Sequence, residues 1–269
     1  FLYGDEGDGV MNYQFSNAIH RLVRFRNAKY FKRIIHDVCS LYPPDALNGS
    51  PIFLSSHDTP RIPNILSNEL MKNKDWYENI WDIDKDERWY NERGEMDTFA
   101  LRSWEFKNDS IPVEIREVVY KKHKKEVFLQ YTLPGLPSIF AGDEIGTVGL
   151  NDPHNRKSID WMKMLKFFER KDESLSQADI GERLYRFYRR IGKFRMEYRE
   201  IFSDSTNFKL LYLSDTRIVY KRDYLVFIVN LSDQYIAIPK NHLNSQIFTI
   251  DGKPYEQRIP PHGAIIAKR

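Results

Sequence analysis

The chain has 269 residues, a length that suits about two domains. Its 41 basic and 38 acidic side chains leave a net charge of +3, so charge gives no reason to expect a nucleic-acid partner, and 41% hydrophobic and 14% aromatic residues supply a packed core and exclude global disorder. No apolar run reaches the roughly 18 residues of a membrane span, and the single cysteine, Cys39, excludes an internal disulfide framework and a cysteine-built zinc site.

One free thiol is in keeping with a reducing, cytoplasmic compartment. The sequence opens at Phe1 without an initiator Met, which leads us to expect a cut or processed end, so the missing leader adds little about location.

In chain order, residues 14–39 read as one helical stretch, with Ile19, Leu22, Val23, Phe31, Ile34, Ile35 and Val38 on its apolar face. The run PIFLSS (51–56) is short, apolar and bounded by turn residues, and predicts a buried strand. Residues 66–112 stand apart as an insertion dense in aromatics, among them Trp76, Trp81, Trp89 and Trp104. Such rings either form a sugar-stacking platform or pack on one another as a small subdomain. Residues 113–132 predict a helix: Val119, His123, Val127 and Tyr131 recur every four positions, with Lys121, Lys122, Lys124 and Lys125 as a polar face between them. PSIFA (137–141), closed by Gly142, predicts a second buried strand, and 181–200 a further helix. Strands alternating with helices point to parallel βα units.

From Phe208 the pattern period becomes two. Strands are predicted at 208–213, 217–222, 224–230, 235–239, 246–250 and 264–268, with turn residues between them. This spacing predicts a small antiparallel sandwich. The domains are therefore expected at 1–206 and 207–269.

Three polar segments could carry chemistry. HDTPR (His57–Arg61) follows the 51–56 strand directly, and in a βα barrel functional side chains sit where strands run into loops. An Asp there can accept two sugar hydroxyls and a His can donate to one; equally, Asp58 could cap the next helix. GDEIG (142–146) places two adjacent carboxylates beyond the second strand, either supporting a site or pairing structurally. In NDPHNR (151–156), Asp152 and Arg156 lie four apart; they could clamp neighbouring hydroxyls through the guanidinium fork or form a local salt bridge of little energetic weight.

Taken in order, HDTPR, LPGLPSIFAGDEIG (133–146) and NDPHNR ahead of a Trp resemble the α-amylase superfamily of glycoside hydrolases, in particular its neopullulanase, cyclomaltodextrinase and maltogenic amylase group. The opening GDEGDGVMNY (4–13) is similar to the segment leading into that group's sixth barrel strand. The resemblance implies the C-terminal part of a (β/α)8 TIM barrel, units six to eight, followed by a small β-sandwich. It implies that Asp58 is a catalytic-centre carboxylate gripping hydroxyls of the reacting ring, with His57 on the same ring. Arg61, Asp152 and Arg156 would be substrate contacts, and Glu144 structural.

The implied activity is retaining hydrolysis of α-1,4, and as a further option α-1,6, glucosidic bonds in maltooligosaccharides, cyclodextrins or pullulan. Two readings stay open beside it: a non-catalytic, glucan-binding amylase-fold subunit, and a 4-α-glucanotransferase. The family's nucleophile sits in a G-x-R-x-D segment, and none occurs in these 269 residues; Asp5 and Glu6 lie past the expected acid position. The chain is therefore expected to be a fragment, inactive alone and completed by the N-terminal half of the same enzyme. No cofactor, no metal and no membrane or nucleic-acid partner is implied.

Overall fold

The computed structural model describes residues 9–68, 110–150, 153–169 and 179–269. Residues 69–109, and with them nearly all of the aromatic insertion, lie outside the described residues, as do the first eight residues and Asp152. Helices α1 (Tyr13–Phe25), α2 (Ala28–Leu41) and α3 (Pro44–Gly49) precede strand β1 (Pro51–Ile52). Then come α4 (Ile62–Asn68), α5 (Arg116–Thr132), β2 (Leu136–Pro137), α6 (Trp161–Glu169), α7 (Ile180–Glu197) and α8 (Arg199–Phe202). The C-terminal strands are β3 (Phe208–Ser214), β4 (Arg217–Arg222), β5 (Leu225–Asn230), β6 (Ile236–Ala237), β7 (Gln246–Thr249), β8 (Arg258–Ile259) and β9 (Ala264–Lys268).

These elements form two compact units. One comprises residues 1–53, 124–138 and 187–269, the other 54–123 and 139–186. The C-terminal sheet thus shares a unit with α1–α3, and the boundary expected at 206/207 falls inside that unit.

In the first unit, α1 and α2 are separate helices where one was expected. Arg26 takes the left-handed conformation (φ 56°) and ends α1, and the Asn27 side chain accepts from the Tyr30 N–H to start α2. A left-handed C-cap followed at once by an Asn N-cap turns the chain without a glycine. The apolar stripes are the expected ones: Phe15, Ala18, Ile19, Leu22 and Val23 on α1, and Phe31, Ile34, Ile35 and Val38 on α2 are all buried. At the other end of α1, buried Asn12 accepts from Phe15 N through Oδ1 (2.9 Å), while its own N–H donates to Pro51 O (2.9 Å). This docks the start of α1 beside β1. Strands β1 and β2 pair in parallel, Pro51 with Leu136 and Ile52 with Pro137. Buried Gln130 of α5 donates to the carbonyls of Ile52 (2.9 Å) and Ser138 (2.8 Å), bracketing the pair.

The second predicted strand, 137–141, is reduced to this two-residue ladder, and Ile139 is exposed where a buried strand was expected. Among the described residues this strand pairs with β1 alone. The lysine-rich face of α5 also departs from expectation, because Lys122, Lys124 and Lys125 are buried. Lys124 Nζ meets Asp251 Oδ1 at 2.8 Å and Lys125 Nζ meets His262 Nδ1 at 2.9 Å. Turns of the C-terminal sheet supply these partners, and that packing was invisible in the helix's own periodicity.

The C-terminal sheet is antiparallel, in the order β3-β4-β5-β9-β7, with a separate β6-β8 pair that includes one strand, β8, not predicted. On one face Val226, Ile228 and Ile265 pack with Ile238 and Ile259. The other face is aromatic: Tyr220 stacks on Phe227 at 4.8 Å, and Phe248 lies 5.2 Å from Phe194 of α7 and 6.3 Å from Phe128 of α5. Such pairs add to area burial. Arg222, fully buried, secures this end of the unit. It donates to Asn207 Oδ1 (2.6 Å), Asp204 O (2.9 Å), Ile201 O (3.1 Å) and Thr132 O (3.3 Å).

Candidate functional site

The polar segments picked out from sequence lie in the second unit. The run Leu54–Ser56 is buried and delivers the chain into a tight turn. Ser56 N–H donates to Thr59 Oγ1 (2.9 Å), Asp58 N–H to Ser56 Oγ (3.1 Å), and Thr59 N–H to Ser56 O (3.3 Å). Two hydroxyl residues three apart satisfy the turn's donors from within, which leaves the two residues between them free to face outward. His57 and Asp58 are those residues. Their side chains are 58% and 56% exposed, with His57 Nε2 3.2 Å from Asp58 Oδ1. Helix α4 starts only at Ile62, so Asp58 does not cap it.

Arg61 was expected to touch substrate. The structure buries it instead: at 1% exposure, Nε donates to Asn155 O (2.8 Å) and Nη1 to Ala141 O (2.9 Å) and Asp143 Oδ1 (3.0 Å). The guanidinium lies 3.8 Å from the Phe140 ring centroid, and Arg61 N–H donates to Gly149 O (2.9 Å). One fork therefore ties together the loops at 57–61, 140–149 and 153–156, which is what a rigid planar donor set does well. Asp143, its buried counter-charge, also accepts from Ser55 Oγ at 2.8 and 2.7 Å. Burial pushes the Asp143 carboxyl up to about 6, and the Ser55 hydroxyl and Arg61 guanidinium hold it from rising further. Glu144 accepts from Gly142 N–H (2.8 Å), the structural role anticipated for it.

Sequence reasoning passed over Asn155. It is fully buried, and its Nδ2 donates to the carbonyls of His57 (2.8 Å), Thr59 (2.9 Å) and Ser56 (3.2 Å). Arg156, exposed in the 3-10 turn His154–Arg156, is next to Asn155, and Asp58 is next to His57. The two predicted sugar-contact segments are thus fastened together one residue from each candidate. Asp152 lies outside the described residues. Among the described residues no cluster of three or more His, Cys, Asp or Glu could hold a metal ion, and no helix is long and apolar enough to cross a membrane.

The described residues combine a short parallel strand pair, exposed polar residues at 57–58 and an antiparallel sheet at the C-terminal end. No protein-family model matches the chain. The chain is 22% identical over 283 aligned positions to a cyclomaltodextrinase from Geobacillus thermopakistaniensis, covering 99% of this chain and 37% of that protein. It is 23% identical over 286 positions to an amylopullulanase from Thermoanaerobacter thermohydrosulfuricus, covering 93% of this chain and 17% of the relative. Among solved structures, the native debranching enzyme of Nostoc punctiforme superposes with a TM-score of 0.61 at 18% identity, over 100% of this chain and 49% of that one. An Anoxybacillus α-amylase gives 0.60 at 13% identity, over 97% and 47%. The chain is thus similar in sequence to cyclomaltodextrinases and an amylopullulanase, and in fold to α-amylase-family enzymes. It spans 37% and 17% of the lengths of the two curated relatives.

Proposed function

We propose that this chain is the C-terminal portion, barrel units six to eight plus a β-sandwich, of a retaining glycoside hydrolase acting on α-1,4, and as a further option α-1,6, glucosidic bonds of maltooligosaccharides, cyclodextrins or pullulan. The observation that carries the reading is the fastening of the His57–Asp58 loop to the loop bearing Arg156 through Asn155. Two hydroxyl-binding segments separated by about a hundred positions in sequence are held side by side.

A retaining mechanism needs a nucleophile and an acid/base carboxylate about 5–5.5 Å apart. In this reading both come from the N-terminal half of the same enzyme, and the chain alone is without activity. Asp58 acts as a third carboxylate, accepting hydroxyls of the reacting ring in bonds that tighten as the ring flattens toward the oxocarbenium-like transition state. His57 donates to the same ring, and Asp152 and Arg156 hold neighbouring glucose units. Arg61, buried and engaged with protein acceptors, positions these loops instead of touching sugar.

The test is hydrolysis of maltotriose, β-cyclodextrin and pullulan by the native protein that carries this chain, with the anomer of the first product read by NMR. An α-configured product from at least one of them is expected. Inertness toward all three, or a β-configured product, overturns the reading.

A further inference from the structure

We propose that Asn155 is a positioning residue for the proposed reaction, setting the backbone turn that presents Asp58 to the sugar; the role rests on the function proposed above. Among the described residues the Asp58 carboxylate meets only the exposed His57 ring, so Asp58's aim must come from its backbone. That backbone is fixed at three points by one nitrogen. Asn155 Nδ2 reaches the carbonyls of Ser56, His57 and Thr59, the residues on either side of Asp58. An amide nitrogen carries two hydrogens, so three acceptors share them and the loop is curled tightly around it. Rotating the amide by half a turn would set its oxygen against three carbonyl oxygens, so the orientation has no alternative.

The second half of the grip is main-chain. Asn155 O accepts from Arg61 Nε at 2.8 Å, so a single residue holds both ends of the HDTPR segment. The arrangement also carries a cost. Asn155 Oδ1 is buried and accepts no hydrogen bond among the described residues, which is unfavourable for a buried acceptor. Retaining an amide whose oxygen is unsatisfied makes sense where the nitrogen's three contacts are what matters. Reacting groups displaced by about 1 Å lose on the order of a hundredfold in rate, so the effect of losing these contacts belongs in turnover.

The experiment uses the native protein with maltotriose as the probe and compares kcat for the native and Asn155→Asp forms between pH 5 and pH 7.5. The isosteric carboxylate presents acceptors to three carbonyls when ionised, but donates one hydrogen bond when protonated. Flanked by acceptors and buried, it will protonate well above the ordinary carboxylate value of about 3.9. The variant is expected to turn over at least tenfold more slowly than native at pH 7.5, with the deficit shrinking at least threefold by pH 5. The thermal midpoint of both forms is read at each pH, and a deficit in kcat that merely follows loss of folded protein overturns the role.

Turnover within twofold of native at pH 7.5, or a deficit that does not change with pH, overturns the role. Should Asn155→Asp fail to fold, Asn155→Ser, which keeps one short donor, replaces it: a fall in kcat exceeding any change in KM supports the role, and an unchanged kcat overturns it. If the native protein hydrolyses none of maltotriose, β-cyclodextrin and pullulan, the underlying reading falls and takes this role with it; if it hydrolyses β-cyclodextrin or pullulan but not maltotriose, that substrate replaces maltotriose as the probe. If the native protein is active and the variants are unaffected, the positioning role alone falls.

Discussion

Arg61 and Asp143 form an ion pair at 3.0 Å with each side chain only 2% exposed. Removing one partner of such a pair leaves a buried charge uncompensated, whereas replacing both with apolar groups can be nearly neutral. Asp143→Ala in the native protein is therefore expected to lower unfolding free energy by about 3–5 kcal/mol, and the double change Arg61→Met with Asp143→Leu by distinctly less. Urea denaturation of the three forms checks this. A single substitution costing under about 1 kcal/mol would mean that water reaches the pair.

The same carboxyl gives a pH dependence whose sign follows from its raised value. In the folded state it titrates at about 6, because burial disfavours its charge more than Ser55 and Arg61 favour it; unfolded, it titrates near 3.9. The folded state then holds the proton more tightly, so its contribution to stability is complete below about pH 4 and is lost as pH rises through about 6. Relative to Asp143→Asn, the native protein should lose about 3 kcal/mol of unfolding free energy across that window, a shift of roughly two pKa units at 1.36 kcal/mol each. A difference that grows with pH instead would show that the Arg61 contact outweighs desolvation.

Arg222 offers a second buried cation with a different partner set, all of it polar but uncharged: Asn207 Oδ1 and the carbonyls of Thr132, Ile201, Phe202 and Asp204. Burial, and then repulsion from Arg195, lowers its pKa to about 10, so it stays charged at neutral pH. Arg222→Met is expected to strand several buried carbonyls at about 1–3 kcal/mol for each one left unsatisfied. A fall in thermal midpoint of several degrees would register this, and an unchanged midpoint would show that the carbonyls find water.

What the sequence disclosed follows a physical divide. The C-terminal strands were legible because alternation and turn residues are local signals: β4 and β9 fall on the predicted positions, and β5 differs by one residue. The outward-facing pair His57 and Asp58 was legible as a polar motif after an apolar run, although the strand predicted at 51–56 is only Pro51–Ile52. Arg61 was misjudged because its burial depends on Asp143 and Asn155, eighty and more positions away. Lys124 and Lys125 failed for the same reason, since their partners are Asp251 and His262. The break between α1 and α2 hid because an Arg in the left-handed conformation carries no signal that a glycine would.

Gly142 tests whether the loop behind Arg61 tolerates a side chain. Its φ is +100°, and a Cβ there would lie 2.6 Å from Thr147 Oγ1. The conformation alone is strained for any L-residue, at about 1–3 kcal/mol, and Thr147 would have to turn away as well. Gly142→Ala should destabilise by about that amount, and pairing it with Thr147→Ala should return the steric part but not the backbone part. Full recovery in the double variant would mean that the loop relaxes out of its positive φ.

Asp58 separates chemistry from folding, because its exposed side chain does little structural work. A surface contact such as that with His57 is worth about 0–1 kcal/mol, so Asp58→Asn should leave the unfolding midpoint of the native protein unmoved within error. If Asp58 grips the reacting ring, the neutral amide keeps the shape but loses the charge-assisted bonds that strengthen as the ring distorts. Interactions made chiefly in the transition state lower kcat and kcat/KM together, and losing one preorganised electrostatic partner costs on the order of 10²–10³ in kcat. Steady-state hydrolysis of maltotriose by the native and Asp58→Asn forms therefore discriminates sharply. Parallel falls in kcat and kcat/KM at an unchanged midpoint place Asp58 at the reacting ring, a rise in KM at constant kcat makes it an ordinary binding group, and unaltered kinetics remove it from the site.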